Sequence, residues 1–318
     1  MPARPLIDAW AEALYGDRGF YRQSDGPAAH FATAGQGVPG VGELFASAVI
    51  ALADRLGATH ILDVGAGRGE FLSLLHAARP SLRLTGVDVV ARPSRLPAAV
   101  AWVRSRGGSA MPALPADAQT LIVANEWLDV VPCPIAEWDG VTWRDVLADG
   151  ALGGELAGPE DAWREQWWPV ADPAAGDRVE IGLPRDRAYR DLCSRGALAV
   201  LAIDYGHLQG DRPAGGTLIG YRGGVTAIPR FDGSTDVTAH VAMDSLGAGE
   251  LFTQREAFSR LGIQAPAPSL DLARTAPADY LDGLARRTAL AAARDPGGLG
   301  GFWWALSCPL AGPGTPPR

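Results

Sequence analysis

Lysine is absent from all 318 residues, so every fixed positive side chain is one of 28 arginines. That excludes Schiff-base chemistry and lysine nucleophiles. Cysteine is scarce as well. Cys133, Cys193 and Cys308 lie far apart and form no C-x-x-C, which argues against a disulfide framework or a structural zinc site, and no metal is expected. No apolar run reaches the ~20 residues of a membrane span, and Met1 to Trp10 lacks the basic start and apolar core of a leader. A cytoplasmic protein without membrane insertion is expected. Acidic residues exceed basic ones by eight, 36 against 28, with no basic stripe, so no nucleic-acid partner is expected.

Apolar residues make up 47% of the chain, enough for a sizeable core. The most informative segment is Ile61-Leu62-Asp63-Val64-Gly65-Ala66-Gly67-Arg68-Gly69-Glu70, followed by Gly86-Val87-Asp88. It reads as strand, glycine loop, helix and a second strand ending in an acid. Asp88, nineteen residues past Gly69, is placed to take the two hydroxyls of a ribose. A dinucleotide fold wants G-x-G-x-x-G around a pyrophosphate. Here the third glycine comes one residue early, Glu occupies position 70, and Asp63 precedes the loop. Acids at both ends of the loop suit a cofactor with a cationic amino-acid part and no phosphate, which is S-adenosylmethionine, and its neighbours Ala66 and Val89 fall at the same site. The alternative is a tight strand-to-helix turn with Asp63 as a capping or solvated acid.

Apolar spacing predicts a helix over 41–56 and a strand over 60–64, then a helix over 68–78, strands over 82–87, near 100–103 and over 120–124. This alternation means an α/β fold, a doubly wound Rossmann-like sheet with ligands at the carboxyl ends of its strands; joined to the cofactor suggested by the glycine loop, the expected fold class is that of a class I methyltransferase. The expected division is an N-terminal cap and first helix over 1–57, a cofactor-binding core over 58–131 and 197–262, an inserted β-rich and helical lid over 132–196, and a C-terminal helical segment and tail over 263–318. Within the insertion, Asp139-Gly140 predicts a hairpin turn.

On the acceptor side, Asn125-Glu126-Trp127-Leu128-Asp129 follows the fourth strand. Glu126 and Asp129, three residues apart, can share one face of a helical turn and hold a guanidinium in bidentate fashion; helix capping is the alternative. Asp204 and Tyr205 end another strand and either face the crevice or make a turn. His240, in Asp236-Val237-Thr238-Ala239-His240-Val241, is a base, an orienter of a carboxylate, or a structural histidine. The tryptophans at 163, 167, 168, 303 and 304 read as packing.

Taken together, Gly19-Phe20-Tyr21, His30-Phe31-Ala32-Thr33-Ala34, the glycine loop, Asn125-Glu126-Trp127-Leu128-Asp129, Asp204-Tyr205-Gly206, Gly216-Thr217-Leu218-Ile219-Gly220-Tyr221-Arg222, Asp236-Val237-Thr238-Ala239-His240-Val241 and Thr253-Gln254 resemble the MidA family. These are S-adenosylmethionine-dependent methyltransferases whose mitochondrial members assist respiratory complex I assembly by dimethylating an arginine. The resemblance runs from Tyr15 to about Gly262 and implies a bacterial-type relative acting on a protein arginine. It implies that Asp63, Gly65, Gly67, Gly69 and Asp88 bind the cofactor, that Asn125, Glu126 and Asp129 border the acceptor, and that Phe31 and Thr33 close over the pocket. The chain departs from the family pattern at His30 and at Ala34 to Gly37, and has no acid between Arg104 and Ala110. A cofactor-binding assembly chaperone without turnover and a small-molecule methyltransferase are the alternative readings.

Overall fold

The computed structural model describes residues 4–23 and 38–307. Helix α1 (Leu6–Tyr15) and helix α2 (Val41–Leu56) precede the first strand. In α2 the buried side chains Val41, Leu44, Phe45, Ala48, Val49, Leu52 and Ala53 recur at three- and four-residue steps, one face of a helix turned to the core. Gly57, at φ 76°, ends the helix in the left-handed conformation that glycine adopts without strain.

The expected alternation follows: β1 (His60–Val64), α3 (Glu70–Ala78), β2 (Arg83–Asp88), β3 (Ala101–Arg104) and β4 (Thr120–Asn125). Next come β5 (Ile135–Trp138) and β6 (Trp143–Val146), an antiparallel pair turning at Asp139 and Gly140, then β7 (Leu152–Glu155), α4 (Gly158–Trp167), β8 (Arg178–Glu180) and α5 (Leu183–Cys193). After β9 (Ala199–Asp204) the chain makes the short strands β10 (Gly206–His207), β11 (Ile219–Arg222), β12 (Val225–Ala227), β13 (Asp236–Thr238) and β14 (Val241–Ala242). It then forms β15 (Glu250–Thr253), α6 (Gln254–Arg260), α7 (Leu270–Thr275), α8 (Pro277–Ala293) and β16 (Trp303–Ser307).

Seven strands form the central sheet in the order β15-β16-β9-β4-β1-β2-β3. Strands β1, β2, β3, β4 and β9 run parallel, and β16 is antiparallel to both of its neighbours. A parallel sheet is covered on both faces, which is why β1 is buried along its whole length. One cover is α2, α3, α6 and α8, packed through Phe45, Leu72, Phe258 and Ala289; the other is α5 with the turn after β4, through Tyr189, Leu192, Trp127 and Leu128. The strand order reverses between β1 and β4, so a crevice opens at their carboxyl ends. At the opposite end His60 ties three strands together, its ring nitrogens 2.9 Å from the hydroxyls of Thr120 and Thr85.

Two expectations need correction. The 132–196 segment carries the expected hairpin, but α5 within it packs under the central sheet, and none of 132–196 lines the crevice. It buttresses the fold rather than covering the site, because the apolar face of Ala188, Tyr189 and Leu192 finds its partner in the sheet. The stretch after 262 is helical as expected, yet it also sends β16 into the sheet between β9 and β15. Trp304, fully buried, holds it there, its ring 5.9 Å from Phe45 and 6.2 Å from Phe252.

Candidate functional site

The loop after β1 is built by three glycines in the left-handed region, Gly65 at φ 75°, Gly67 at 58° and Gly69 at 78°. Side chains are strained there, and a Cβ on Gly69 would stand 2.5 Å from Leu96 Cδ1. The N–H groups of Gly65 and Ala66 donate to Val87 O, at 2.9 and 3.2 Å, which laces the loop to the end of β2. Asp88, at that end, accepts from the N–H groups of Gly67 at 2.8 Å and Val90 at 3.0 Å. Burial nevertheless pushes its carboxyl up to about 6. Asp63 is buried beneath the loop, and its carboxyl is raised well above the usual range by burial first, then by the charges of Asp88 and Glu70.

A second set of side chains comes from the turn after β4. Glu126 is the one non-glycine among the described residues with positive φ, at 49°. Its N–H donates to Ile203 O at 2.8 Å, and its Oε1 accepts from Asn125 Nδ2 at 3.2 Å. Such a conformation costs about 1 kcal/mol or more and persists only where the surroundings impose it. Asp204 does the imposing: its Oδ2 accepts the N–H groups of Leu128 and Asp129, at 3.0 and 3.1 Å. Fully buried, Asp204 organises the turn and does not border the crevice, whereas its neighbour Tyr205 does. The Tyr205 hydroxyl donates to Asp129 Oδ2. Burial raises the Asp129 carboxyl to about 6 and that of Asp204 well above its usual range.

Arg185, which sequence reading missed, fixes this turn from behind. It is 1% exposed, and its guanidinium donates to three backbone carbonyls, those of Val131 at 3.0 Å, Asp129 at 2.8 Å and His240 at 2.8 Å. The cation also lies over the Trp10 ring, 5.7 Å from its centroid. Nothing local in Leu183–Cys193 announces that role; only the fold brings α5 under both the turn and β14.

Loop and turn meet in one cavity of about 440 Å³. Of the residues proposed from sequence, Asp63, Gly65, Ala66, Gly67, Asp88, Val89, Asn125, Glu126, Asp129 and His240 line it, while Gly69 stands behind as the cap of α3. His240 has its ring edge-on to Tyr205 at 5.1 Å, and partial desolvation of the ring lowers its pKa. Phe31 and Thr33 lie outside the described residues. Sequence reading missed Tyr15, Tyr21, Tyr221 and the side chain of Asp236, which also line the cavity. The Asp-x-Thr-Ala-His-Val segment carries Asp236 four residues before His240, on the strand that turns its carboxyl into the cavity.

The electrostatics of the cavity choose its ligand. Six carboxyl groups border it, Asp63, Glu70, Asp88, Glu126, Asp129 and Asp236, against one arginine, Arg68. Two buried oxygens, Asn125 Oδ1 and Asp129 Oδ1, have no hydrogen-bond partner among the described residues. Unmet acceptors of this kind are costly and suit N–H donors from a ligand. Acids at the loop, a diol-sized acceptor at Asp88 and apolar walls from Phe45, Phe71 and Val89 fit S-adenosylmethionine, a cationic nucleoside cofactor without phosphate. Among the described residues no cluster of His, Cys, Asp and Glu is arranged to hold a metal ion, and no helix is long and apolar enough to cross a membrane.

Comparison with known proteins agrees with this geometry. A family model described as "Putative S-adenosyl-L-methionine-dependent methyltransferase" matches residues 78–252, more than half of the chain. A crystal structure of a Burkholderia thailandensis protein bound to S-adenosyl-homocysteine superposes with a TM-score of 0.73 at 22% identity, covering 98% of this chain and 89% of that one. A native crystal structure of a protein of the same superfamily and organism gives the same score and identity, with 98% and 88% covered. No curated protein matches the chain.

Proposed function

The chain belongs to this family of S-adenosyl-L-methionine-dependent methyltransferases, and on that premise we propose that it methylates a guanidinium nitrogen of a protein arginine. The observation that carries the reading is the carboxylate-rich wall at Glu126 and Asp129, with the buried Asn125 Oδ1 and Asp129 Oδ1 short of donors. A guanidinium brings five N–H donors and a permanent charge to such a wall.

When bound, S-adenosylmethionine supplies a methyl group on a positively charged sulfur, ready for in-line displacement. Asp88 would hold the ribose hydroxyls, and Asp63 at the other end of the loop would face the cationic amino-acid part. Glu126 and Asp129 would orient the guanidinium, concentrating electron density on one nitrogen without removing a proton from the free side chain, whose pKa is above ~12. Tyr205 keeps Asp129 in place, and Arg185 keeps the turn in place. Alignment of this kind can supply roughly 7–11 kcal/mol of the barrier to a displacement.

The test has two stages. Calorimetric titration with S-adenosylmethionine is expected to show binding by the native protein and none by Gly67→Arg, whose side chain would enter the cavity from the loop; thermal melting checks that the variant folds. Labelled-methyl transfer to cell-extract proteins, followed by hydrolysis to amino acids, is then expected to yield methylarginine. Glu126→Gln should keep cofactor binding and lose transfer by at least about 10²-fold. Cofactor binding without label on any arginine would overturn the acceptor assignment.

A further inference from the structure

One carboxyl group in the cavity has surroundings unlike the others. Asp236, on β13, is 1% exposed and accepts a 2.7 Å hydrogen bond from the Tyr21 hydroxyl at Oδ1. Tyr21 stacks on Tyr15, ring centroids 5.6 Å apart, and α1 is pinned to β13 by the Trp10 indole N–H, which donates to Val237 O at 2.8 Å. Across the β11–β13 ladder, Tyr221 stands opposite Asp236. Groups facing Asp236 are thus Tyr21 and Tyr15 from α1 and the turn after it, Tyr221 from β11, and Asp129 and Glu126 from the turn after β4, with Tyr205 and His240 further along the same wall. Among the described residues no cation is named with the groups that act on its carboxyl. Arg185 acts on Asp129 and Asp204, from the far side of the turn.

The other two acceptor-side carboxylates are the ones placed against the guanidinium in the reading above. Glu126 accepts from Asn125, and Asp129 accepts from Tyr205 while Arg185 holds its backbone carbonyl. Resting on the arginine reading above, we propose that Asp236, held by Tyr21, is the group that receives the proton lost by the acceptor nitrogen. The balance is simple. As the nitrogen–carbon bond forms, the carbon–sulfur bond breaks and its electron pair stays on sulfur; the nitrogen then carries one proton too many, and that proton passes to the Asp236 carboxylate and out to water at the cavity mouth.

The geometry also explains how the base is made ready. In the empty cavity burial comes first, and the charges of Asp129 and Glu126 add to it, so the Asp236 carboxyl is held up to about 8 and is protonated at neutral pH. A guanidinium entering among these acids supplies the missing positive charge and expels that proton, leaving a carboxylate beside the reacting nitrogen. Loading the acceptor and arming the base are therefore one event.

The experiment uses the full chain saturated with S-adenosylhomocysteine and Nα-acetyl-arginine methylamide as probe. Titration calorimetry at pH 7 in two buffers of different ionisation enthalpy counts the protons released on binding. The native protein is expected to release close to one proton, and Asp236→Asn to bind the probe with almost none. Release of the same number by Asp236→Asn overturns the proposal; failure of the native protein to bind the probe at all overturns the arginine reading beneath it. Methyl transfer to the probe gives the second readout. Asp236→Asn should lower kcat about 10²-fold or more. Tyr21→Phe, which removes a hydrogen bond that favours the ionised carboxyl, should move the pH midpoint of kcat upward with the fold intact. A midpoint unmoved in Tyr21→Phe counts against the assignment.

Discussion

At the scale of single residues, Glu126 shows function placed against stability. It is held in a left-handed conformation that glycine would adopt freely. Glu126→Gly is therefore expected to be at least as stable as the native protein, by up to about 1 kcal/mol in urea denaturation, while methyl transfer is lost. A clear drop in stability would mean that the backbone there is not under strain. Asn125, the only asparagine in the chain, ends β4 just before that turn, with one buried oxygen that has no partner among the described residues. The identities of these residues were legible in the sequence because Asn-Glu-Trp-Leu-Asp directly follows an apolar strand. The half-buried phenols of Tyr15 and Tyr21 were not, because their proximity to Asp129 and Asp236 depends on elements far apart in the chain.

At the scale of elements, legibility followed locality. Helix 41–56 carries its own period and its own glycine stop, and strands β1 and β4 are short runs rich in branched apolar residues, so each was read within about a residue of its true bounds. Strand β16 was missed, since Trp303–Ser307 follows a Gly-rich turn and draws its order from β9 and β15 rather than from any pattern of its own. Trp304 supplies the test of that packing. Trp304→Ala is expected to cost about 3–5 kcal/mol, the usual figure for emptying a buried aromatic site. Trp304→Phe should cost less than about 1.5 kcal/mol, since the indole N–H has no hydrogen-bond partner among the described residues and its removal breaks nothing. Helix α6 offers a smaller check. Thr253 and Glu256 form a reciprocal capping box, so Thr253→Ala should cost about 1 kcal/mol by thermal or chemical denaturation. Substituting Arg185 by Met belongs here too. Three carbonyls on two segments lose their donor, and a loss of about 3 kcal/mol is expected together with slower methyl transfer.

For the whole molecule, the buried acids set an unusual response to pH. Burial raises Asp88, Asp129 and Asp186 to about 6 and Asp236 to about 8. Between pH 3.8 and those values the folded state keeps protons that the unfolded chain gives up, so their contribution is complete at low pH and fades as pH rises toward 8. Buried His60 and His207, lowered to about 4 and about 3, act oppositely, but only below their ordinary value of 6.5. Between pH 8.5 and 6.5 the acids dominate, the raised thiol of Cys133 acting in the same direction, and the ligand-free protein should have a higher urea midpoint at pH 6.5 than at 8.5; the reverse order would show that the carboxyls are ionised when folded. The position of β16 carries a consequence for how the chain reaches its native state. It lies between β9 and β15, yet it follows both in the chain, so a nascent polypeptide has its methyl-transfer crevice framed while one border of β9 still waits for Trp303 to emerge. Until then β15 has no place to dock and a bare hydrophobic strand edge faces water, the interval in which chaperone capture or misassociation would be most expected.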